Sequence, residues 1–566
     1  MKHSVWFVFF FVVVDNAAGI DYSNSTLDPA SRQLLDFKLR HPKPIGVLTT
    51  SAGMPVEVRD TVSLNTDVFD NAYFYDQQTS IDQEPIPERT VHAKGAGAYG
   101  YFEVTNDVSK YTSADVFNGI GKRTPVAVRF SLQVQDIGGV DLSRETHGLV
   151  AKFYTQEGNL DLLGLSFPVY LYRDPNGFTP IVHSFKRNPQ THLYDATARL
   201  NAVTLIPDSL PTLLWLFSDY GIVNGYRKFD VFPIHTYELS NKHGESHYVR
   251  FNFRTEQGLE FLTDEAASAL RSQDPDYSER DLFNAISTGN FPSWRLDIDV
   301  MSEHQVKNLH YNPFDVTRMW ENGTYHTVTI GRLVLNKNPD NFFKDVEQAA
   351  YNPGNLVPGI PGPPDVMFRA RRLAYRDAQN NRLGINHNNI KVNCPLQRKV
   401  YNRDGMPPVL DNMRDAPNYY QNSFNGPVPY VDVARPKNSL LIYDRNAVDL
   451  QVPADFYNKV LKTEGQKNRL AANLSRLIVR AIESVQKKIL QLLTLIDRDL
   501  GHRVRTALVV TRAALVTQQP TLTVIEEYPK TLGLVPPTPS PPKPFNLIPS
   551  STPSPVLKED QQLFDY

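Results

Sequence analysis

The stretch Arg89–Asp107, RTVHAKGAGAYGYFEVTND, decides the reading of this chain. His92 is followed at once by small residues, AKGAGA, and then by an alternating aromatic segment, Tyr99, Tyr101, Phe102 and Val104. Small residues let a backbone approach something bulky and flat. Alternation of apolar side chains predicts a strand. An imidazole beside room for a planar group points towards haem chemistry, although a histidine taken alone is more often a satisfied core residue.

Working outward, short alternating runs recur between turns from Tyr99 to about Val334. Examples are Thr124–Leu132, Gly148–Thr155, Pro168–Tyr172, Tyr248–Arg254 and Trp294–Met301. They predict an antiparallel barrel with helical insertions. One insertion is expected at Leu200–Tyr220. Another is expected at Glu265–Ser287, capped by Thr263 or Asp264. Upstream, Asp21–Pro87 is polar, with few periodic apolar runs, and such an arm does not fold alone. Downstream, Lys337–Asp449 is rich in Pro, Gly and Asn and reads as a wrapping segment, with a short helix over Asp365–Tyr375. Ala454–Leu515 has apolar residues at helical spacing, among them Leu474, Leu477, Ile478 and Ala481, and predicts a helical bundle. Beyond about Gln518 the chain is Pro-rich and contributes no core.

The chain has 566 residues and a formal net charge of -2, so no basic field recruits nucleic acid or anionic lipid. A single cysteine, Cys394, excludes an intrachain disulfide and CxxC sites. Lys2 and His3 precede an apolar run, Val5–Val14, which ends before Ala17-Ala18-Gly19. This is a secretory signal pattern, too short for a membrane span. Sequons stand at Asn24, Asn322 and Asn473. The final residues, Phe564-Asp565-Tyr566, are not a peroxisomal address. A secreted, extracellular protein is therefore expected, with no membrane or nucleic-acid partner.

From Ala30 to Ala513 the chain resembles the haem catalases, in particular the animal small-subunit clade. Besides the opening stretch, the resemblance is carried by LTTSAGMPV (Leu48–Val56), KRNPQTHL (Lys186–Leu193), DPDYSERDLFNAISTGNFPSW (Asp274–Trp294), NPFDVTRMW (Asn312–Trp320), LVLNKNPDNFF (Leu333–Phe343), DVMFRARRLAY (Asp365–Tyr375) and VNCP (Val392–Pro395). It implies an α+β fold: signal peptide 1–19, N-terminal threading arm 20–92, β-barrel haem domain 93–336, wrapping segment 337–453, helical domain 454–517 and Pro-rich tail 518–566. It also implies haem b, hydrogen peroxide as substrate, and a homotetramer with swapped arms.

By the same resemblance, Tyr375 is the axial ligand of the haem iron. A phenol ionises near pH 10 in water and needs a cation beside it to ionise at neutral pH. Arg371, one helical turn earlier on the same face, has the spacing to supply that cation. His235 and Asp365 match residues that hold this arginine. His92 matches the distal acid-base group and Ser131 the serine that orients it. Arg89, Arg129 and Arg382 match the arginines that pair with the haem propionates, and Val91 and Phe178 match apolar groups against the haem face.

Six positions depart from the pattern. Leu165 stands in GNLDLLGLSFP where the family has the catalytic asparagine that donates to bound peroxide. Ser166 is adjacent, but a neighbour in a strand points to the opposite face. Glu145 replaces a channel aspartate. The family's nucleotide-binding residues fall on Pro211, Tyr220 and Asn322, with Arg254 for a lysine, so NADPH is not expected. A catalase weakened by Leu165 is the favoured reading. A haem peroxidase or organic-hydroperoxide enzyme, or a non-catalytic haem-binding scaffold, are the alternatives.

Overall fold

The computed structural model describes residues 28–62, 71–432, 434–436, 440 and 448–517. The signal pattern, Asn24 and the Pro-rich tail lie outside them. The compact unit ends at Ala513. Of the second unit, from Ala514 on, only the last turn of the final helix is described.

Eight antiparallel strands carry the fold: β1 (Gly95–Val104), β2 (Arg123–Leu132), β3 (His147–Thr155), β4 (Gly158–Leu165), β5 (Tyr237–Ser240), β6 (Ser246–Thr255), β7 (Ser293–Ser302) and β8 (His326–Lys337). Their order, β4-β3-β2-β1-β8-β7-β6-β5, is two four-stranded meanders joined by the β1–β8 pair. The sheet does not close by pairing its edges. A non-strand segment fills the gap, with Phe232 exchanging backbone hydrogen bonds with Leu165 of β4 and Val231 with Phe253 of β6. The interior is apolar, including Phe102, Phe130, Phe153, Phe251 and Trp294, all fully buried. β1 begins at Gly95, inside the small-residue run rather than after it. A Cβ at Gly95 or Gly100 would collide with backbone of the neighbouring strand, so close pairing demands the glycines.

The arm contains two helices, α1 (Pro29–Arg40) and α2 (Ala72–Gln83), and neither buries a residue. The stretch between β4 and β5 holds α3 (Phe178–Phe185), α4 (Ala196–Leu205) and α5 (Leu210–Phe217). The single insertion expected over Leu200–Tyr220 is broken at Pro207, which cannot donate within a helix. Likewise Glu265–Ser287 is two helices, α6 (Asp264–Gln273), capped by Thr263, and α7 (Tyr277–Ser287), interrupted at Pro275. The expected strand at Pro168–Tyr172 is absent. Past Leu165 the chain leaves the sheet, and Leu171 and Tyr172 pack instead with Ile181, Ala202 and Met367. A short helix α8 (Glu303–Lys307) follows β7.

The wrapping segment is largely irregular apart from α9 (Val366–Leu383), which continues two turns past Tyr375 to stop at Gly384. Gly384 has φ +87°, a backbone conformation that side chains other than glycine rarely adopt. The C-terminal bundle comprises α10 (Gln451–Asp455), α11 (Glu464–Ile478), α12 (Glu483–Ile496) and α13 (Arg498–Thr517). It packs against α4 and α5 through Leu200, Leu214, Leu474, Ile489 and Leu493. Among the described residues no single helix is long and apolar enough to cross a membrane. The bent α4–α5 pair is apolar because it forms part of this core.

Candidate functional site

Strand register sets the site. Ser131 pairs with Gly148 across β2–β3, and Gly148 pairs with Leu165 across β3–β4. Residues paired across antiparallel strands project to the same face, so Ser131, Gly148 and Leu165 form one row. His92 lies over it. A Cβ added to Gly148 would sit 3.2 Å from the His92 ring and 2.9 Å from Ser131 Oγ. The glycine therefore makes the recess that the imidazole occupies, and Leu165, 8% exposed, stands beside that recess.

His92 is held at three points. Its Nδ1 is 2.9 Å from Ser131 Oγ, its N–H donates to the Gln133 carbonyl at 3.0 Å, and its carbonyl accepts from Arg129 Nη1 at 2.8 Å. These contacts fix a backbone φ of +64°, a left-handed conformation that non-glycine residues rarely adopt. Burial, reinforced by the charges of Arg129, Arg371 and Arg89, lowers the His92 pKa to about 3. The imidazole is neutral at physiological pH. Ser166 faces the other way, its Oγ accepting from the His147 N–H at 3.1 Å. This agrees with the alternation expected of the strand.

A second cluster forms on α9. Asp365 caps the helix by accepting the Phe368 N–H at 2.8 Å, and its other oxygen is 3.0 Å from His235 Nδ1. His235 Nε2 is 2.8 Å from Arg371 Nη1, and Arg371 Nη2 donates to the Tyr375 hydroxyl at 3.2 Å. The four residues thus make one relay. Burial lowers the His235 pKa despite Asp365, which suits a neutral ring donating from Nδ1 and accepting at Nε2. Burial works against the Arg371 charge, yet Tyr375 and Tyr170 hold its pKa above the ordinary value. Tyr375 and Val150 both pack against a cluster formed by Leu163, Ala349, Tyr351 and Val392. Val150 and Leu163 are two residues along from Gly148 and Leu165 on the same sheet face, so the two clusters share that face.

The third cluster is cationic. Arg89 donates to the carbonyls of Val346, Glu347 and Ala349 and to the Glu347 carboxylate. Arg382 binds the same carboxylate at 3.3 Å and also the Glu347 carbonyl. Arg129, 3% exposed, bonds to the carbonyls of His92 and Ala93 and feels both Arg89 and Glu347 electrostatically. Arg89 and Arg382 thus share one carboxylate, and Arg129 lies within its field. The Nε atoms of Arg129, Arg371 and Arg382 are buried without a partner. A buried excess of two positive charges with unused donors calls for a dianionic guest, and the two propionates of a haem meet that requirement. The residues present therefore fit the group.

Of the remaining predicted residues, Phe178 opens α3 and packs with the cluster that includes Met367 of α9. Val91 is half-buried beside His92. Sequence reasoning missed Gly148, Glu347 and Gln133. Gly148 carried a signal, a glycine opening an otherwise apolar strand. Glu347 and Gln133 act through long-range contacts that carry none.

An antiparallel half-barrel with a half-buried tyrosine–arginine relay, a left-handed histidine and an arginine cradle suits a haem protein. Residues 49–426 match the family model described as Catalase. Catalase of Rattus norvegicus is 42% identical over 501 residues, covering 85% of this chain and 93% of the relative. Catalase of Drosophila melanogaster is 41% identical, covering 84% and 96%. Among solved structures, catalase A from Saccharomyces cerevisiae superposes with a TM-score of 0.77 at 34% identity, covering 82% of this chain and 99% of that one. The chain belongs to the catalase family, and it is an enzyme of that family.

Proposed function

We propose that this protein is a secreted, haem b-dependent catalase that decomposes hydrogen peroxide to water and oxygen at reduced efficiency. The observation that carries the reading is the row Ser131–Gly148–Leu165 beside His92, complete except that its last member cannot donate a hydrogen bond. Tyr375 would hold a haem, with Arg89, Arg129 and Arg382 cradling it, and the group would supply the iron at which peroxide oxygen is activated. His92 does the proton work. With Nδ1 held by Ser131, Nε2 is the nitrogen left to take a proton from peroxide and return it to the departing oxygen. A histidine with a pKa near 3 gives that proton up readily once it has it. Arg371 sets a positive charge beside the Tyr375 oxygen, as an anionic ligand requires, and His235 and Asp365 keep Arg371 in place.

No nucleotide is expected. Tyr220 packs on Trp215 and Phe261, Pro211 is buried within α5, and Arg254 is engaged by Asp230 at 2.9 Å. A homotetramer is supported by apolar side chains left bare in the arm (Ile45, Val47, Val58) and in the wrapping segment (Phe424, Val428, Val431). Of the described sequons, Asn322 is exposed, whereas Asn473 Nδ2 is bonded to the Phe217 carbonyl. Asn322 is therefore the position suited to a glycan.

The test is an optical spectrum and oxygen-electrode trace of protein purified from culture medium. Bound haem and oxygen evolution on adding hydrogen peroxide are expected. Haem without oxygen evolution, but with turnover of an organic hydroperoxide, would move the assignment to the hydroperoxide alternative that Leu165 also accommodates. An N-terminus at Met1 on intracellular material only would refute secretion.

A further inference from the structure

The row Ser131–Gly148–Leu165 is one rung of a ladder on a single sheet face. Val150–Leu163 is the next rung, and Lys152–Asp161, paired across β3–β4, is the one after it. Lys152 Nζ is 2.8 and 2.9 Å from the two Asp161 oxygens, and both side chains are fully buried. Such a pair is weak evidence for stability, because apolar groups of similar volume often serve a fold as well. The informative question is what the pair holds.

Asp161 grips a segment distant in sequence. Its Oδ2 accepts the Asn352 N–H at 2.9 Å and Asn355 Nδ2 at 2.8 Å, and its own N–H donates to the Asn355 carbonyl at 3.1 Å. Lys152 Nζ lies over the Tyr351 ring, 5.2 Å from its centroid. Tyr351 belongs to the buried cluster against which Tyr375 packs. Just upstream, the carbonyls of Val346, Glu347 and Ala349 accept from Arg89, and that of Glu347 also accepts from Arg382. Residues 346–355 therefore carry both the backing of Tyr375 and the acceptors of two cradle arginines, and Asp161 ties down their far end.

We propose that Lys152 and Asp161 are positioning residues: Asp161, its charge balanced by Lys152, fixes residues 346–355 and through them the setting of Tyr375, Arg89 and Arg382. The inference rests on the haem reading of the site. Two double variants of the full chain test it. Lys152→Met/Asp161→Asn removes both charges but keeps an oxygen for Asn352 and Asn355. Lys152→Met/Asp161→Leu removes that oxygen too. Deuterium exchange over residues 346–355, read without haem, should stay close to the parent in the first and run at least about tenfold faster in the second. In haem-loaded protein, transfer of haem to excess apomyoglobin should accelerate by a similar factor in the second alone, with displaced charge-transfer bands. Parent-like exchange and transfer in the second variant, or equal losses in both, would overturn the assignment. Should either double variant fail to fold, Asn355→Ala removes one contact and leaves the ion pair intact. It should speed exchange and haem transfer about fivefold, and parent-like values there would equally overturn the assignment. A parent chain that takes up no haem would refute the haem reading, while the exchange comparison still decides whether Asp161 grips the segment.

Discussion

Leu165→Asn should raise peroxide-dismutating turnover. Leu165 shares its row and face with Gly148 and Ser131, so an asparagine there directs its amide towards the recess that holds the His92 ring. Removing one preorganised donor from a site where charge develops costs roughly 3–4 kcal/mol, or a hundred- to a thousand-fold in rate. Restoring it sets that as the ceiling of the gain. Leucine and asparagine differ little in length, so the row does not have to reopen. The substitution does exchange buried apolar surface for an amide. It forfeits about 1.5–3 kcal/mol of burial, and more until peroxide or water satisfies the new group. The variant should therefore melt earlier yet turn over faster. Oxygen evolution per haem, measured at several peroxide concentrations, should rise by at least about tenfold. Ser166→Ala is the control. It removes the acceptor of the His147 N–H, which costs about 1–3 kcal/mol if that group is left unsatisfied, but touches nothing beside His92. Unchanged oxygen evolution in haem-replete Leu165→Asn would refute the donor argument and move suspicion to Glu145.

Gly148→Ala should cut oxygen evolution while sparing haem content, because its methyl meets His92 and Ser131 Oγ at 3.2 and 2.9 Å. Wild-type turnover in this variant would show that His92 does not depend on the recess. Asp365→Ala should lower haem retention and stability together. It removes a helix cap worth about 1–2 kcal/mol and leaves His235 Nδ1 without its partner; haem titration and thermal melts check both.

Stability should fall on acidification through the buried histidines. His92 and His147 are depressed to about 3 and about 4, so the unfolded chain binds more protons below about pH 6.5. Their contribution is complete above that pH and is lost on the way down to the folded values. Glu279, raised to about 7 by burial, acts in the opposite sense, contributing below about pH 4.5 and losing that contribution as pH rises through 7. Glu279→Gln should therefore stabilise at pH 8 and not at pH 4, which melts at the two values will show. Light scattering should give a tetramer, and deletion of residues 20–88 should abolish it. A stable haem-loaded monomer of the full chain would contradict the role given to the bare apolar arm.

What could be read without coordinates was local. Arg371 and Tyr375 meet because residues four apart lie on one helix face, and Ser166 turns from Leu165 because strand neighbours alternate. Those relations follow from periodicity, so the helix, four of the five quoted strands and the direction of Ser166 were legible. Boundaries were less so. Pro207 and Pro275 break helices that apolar spacing alone would run together, and Pro168–Tyr172 has strand composition but packs as irregular chain once β4 has ended. What only the tertiary structure decided were contacts between distant segments. Arg89, Arg129 and Arg382 are separated by up to hundreds of residues, and nothing in their spacing shows that Glu347 is their shared counter-charge. The left-handed φ of His92 is imposed by Gln133, Ser131 and Arg129 acting from outside the segment. Gly148 matters because of strand register, which is fixed by all eight strands together. A side chain's facing follows from its own backbone, but its partner follows from the packing of the whole sheet.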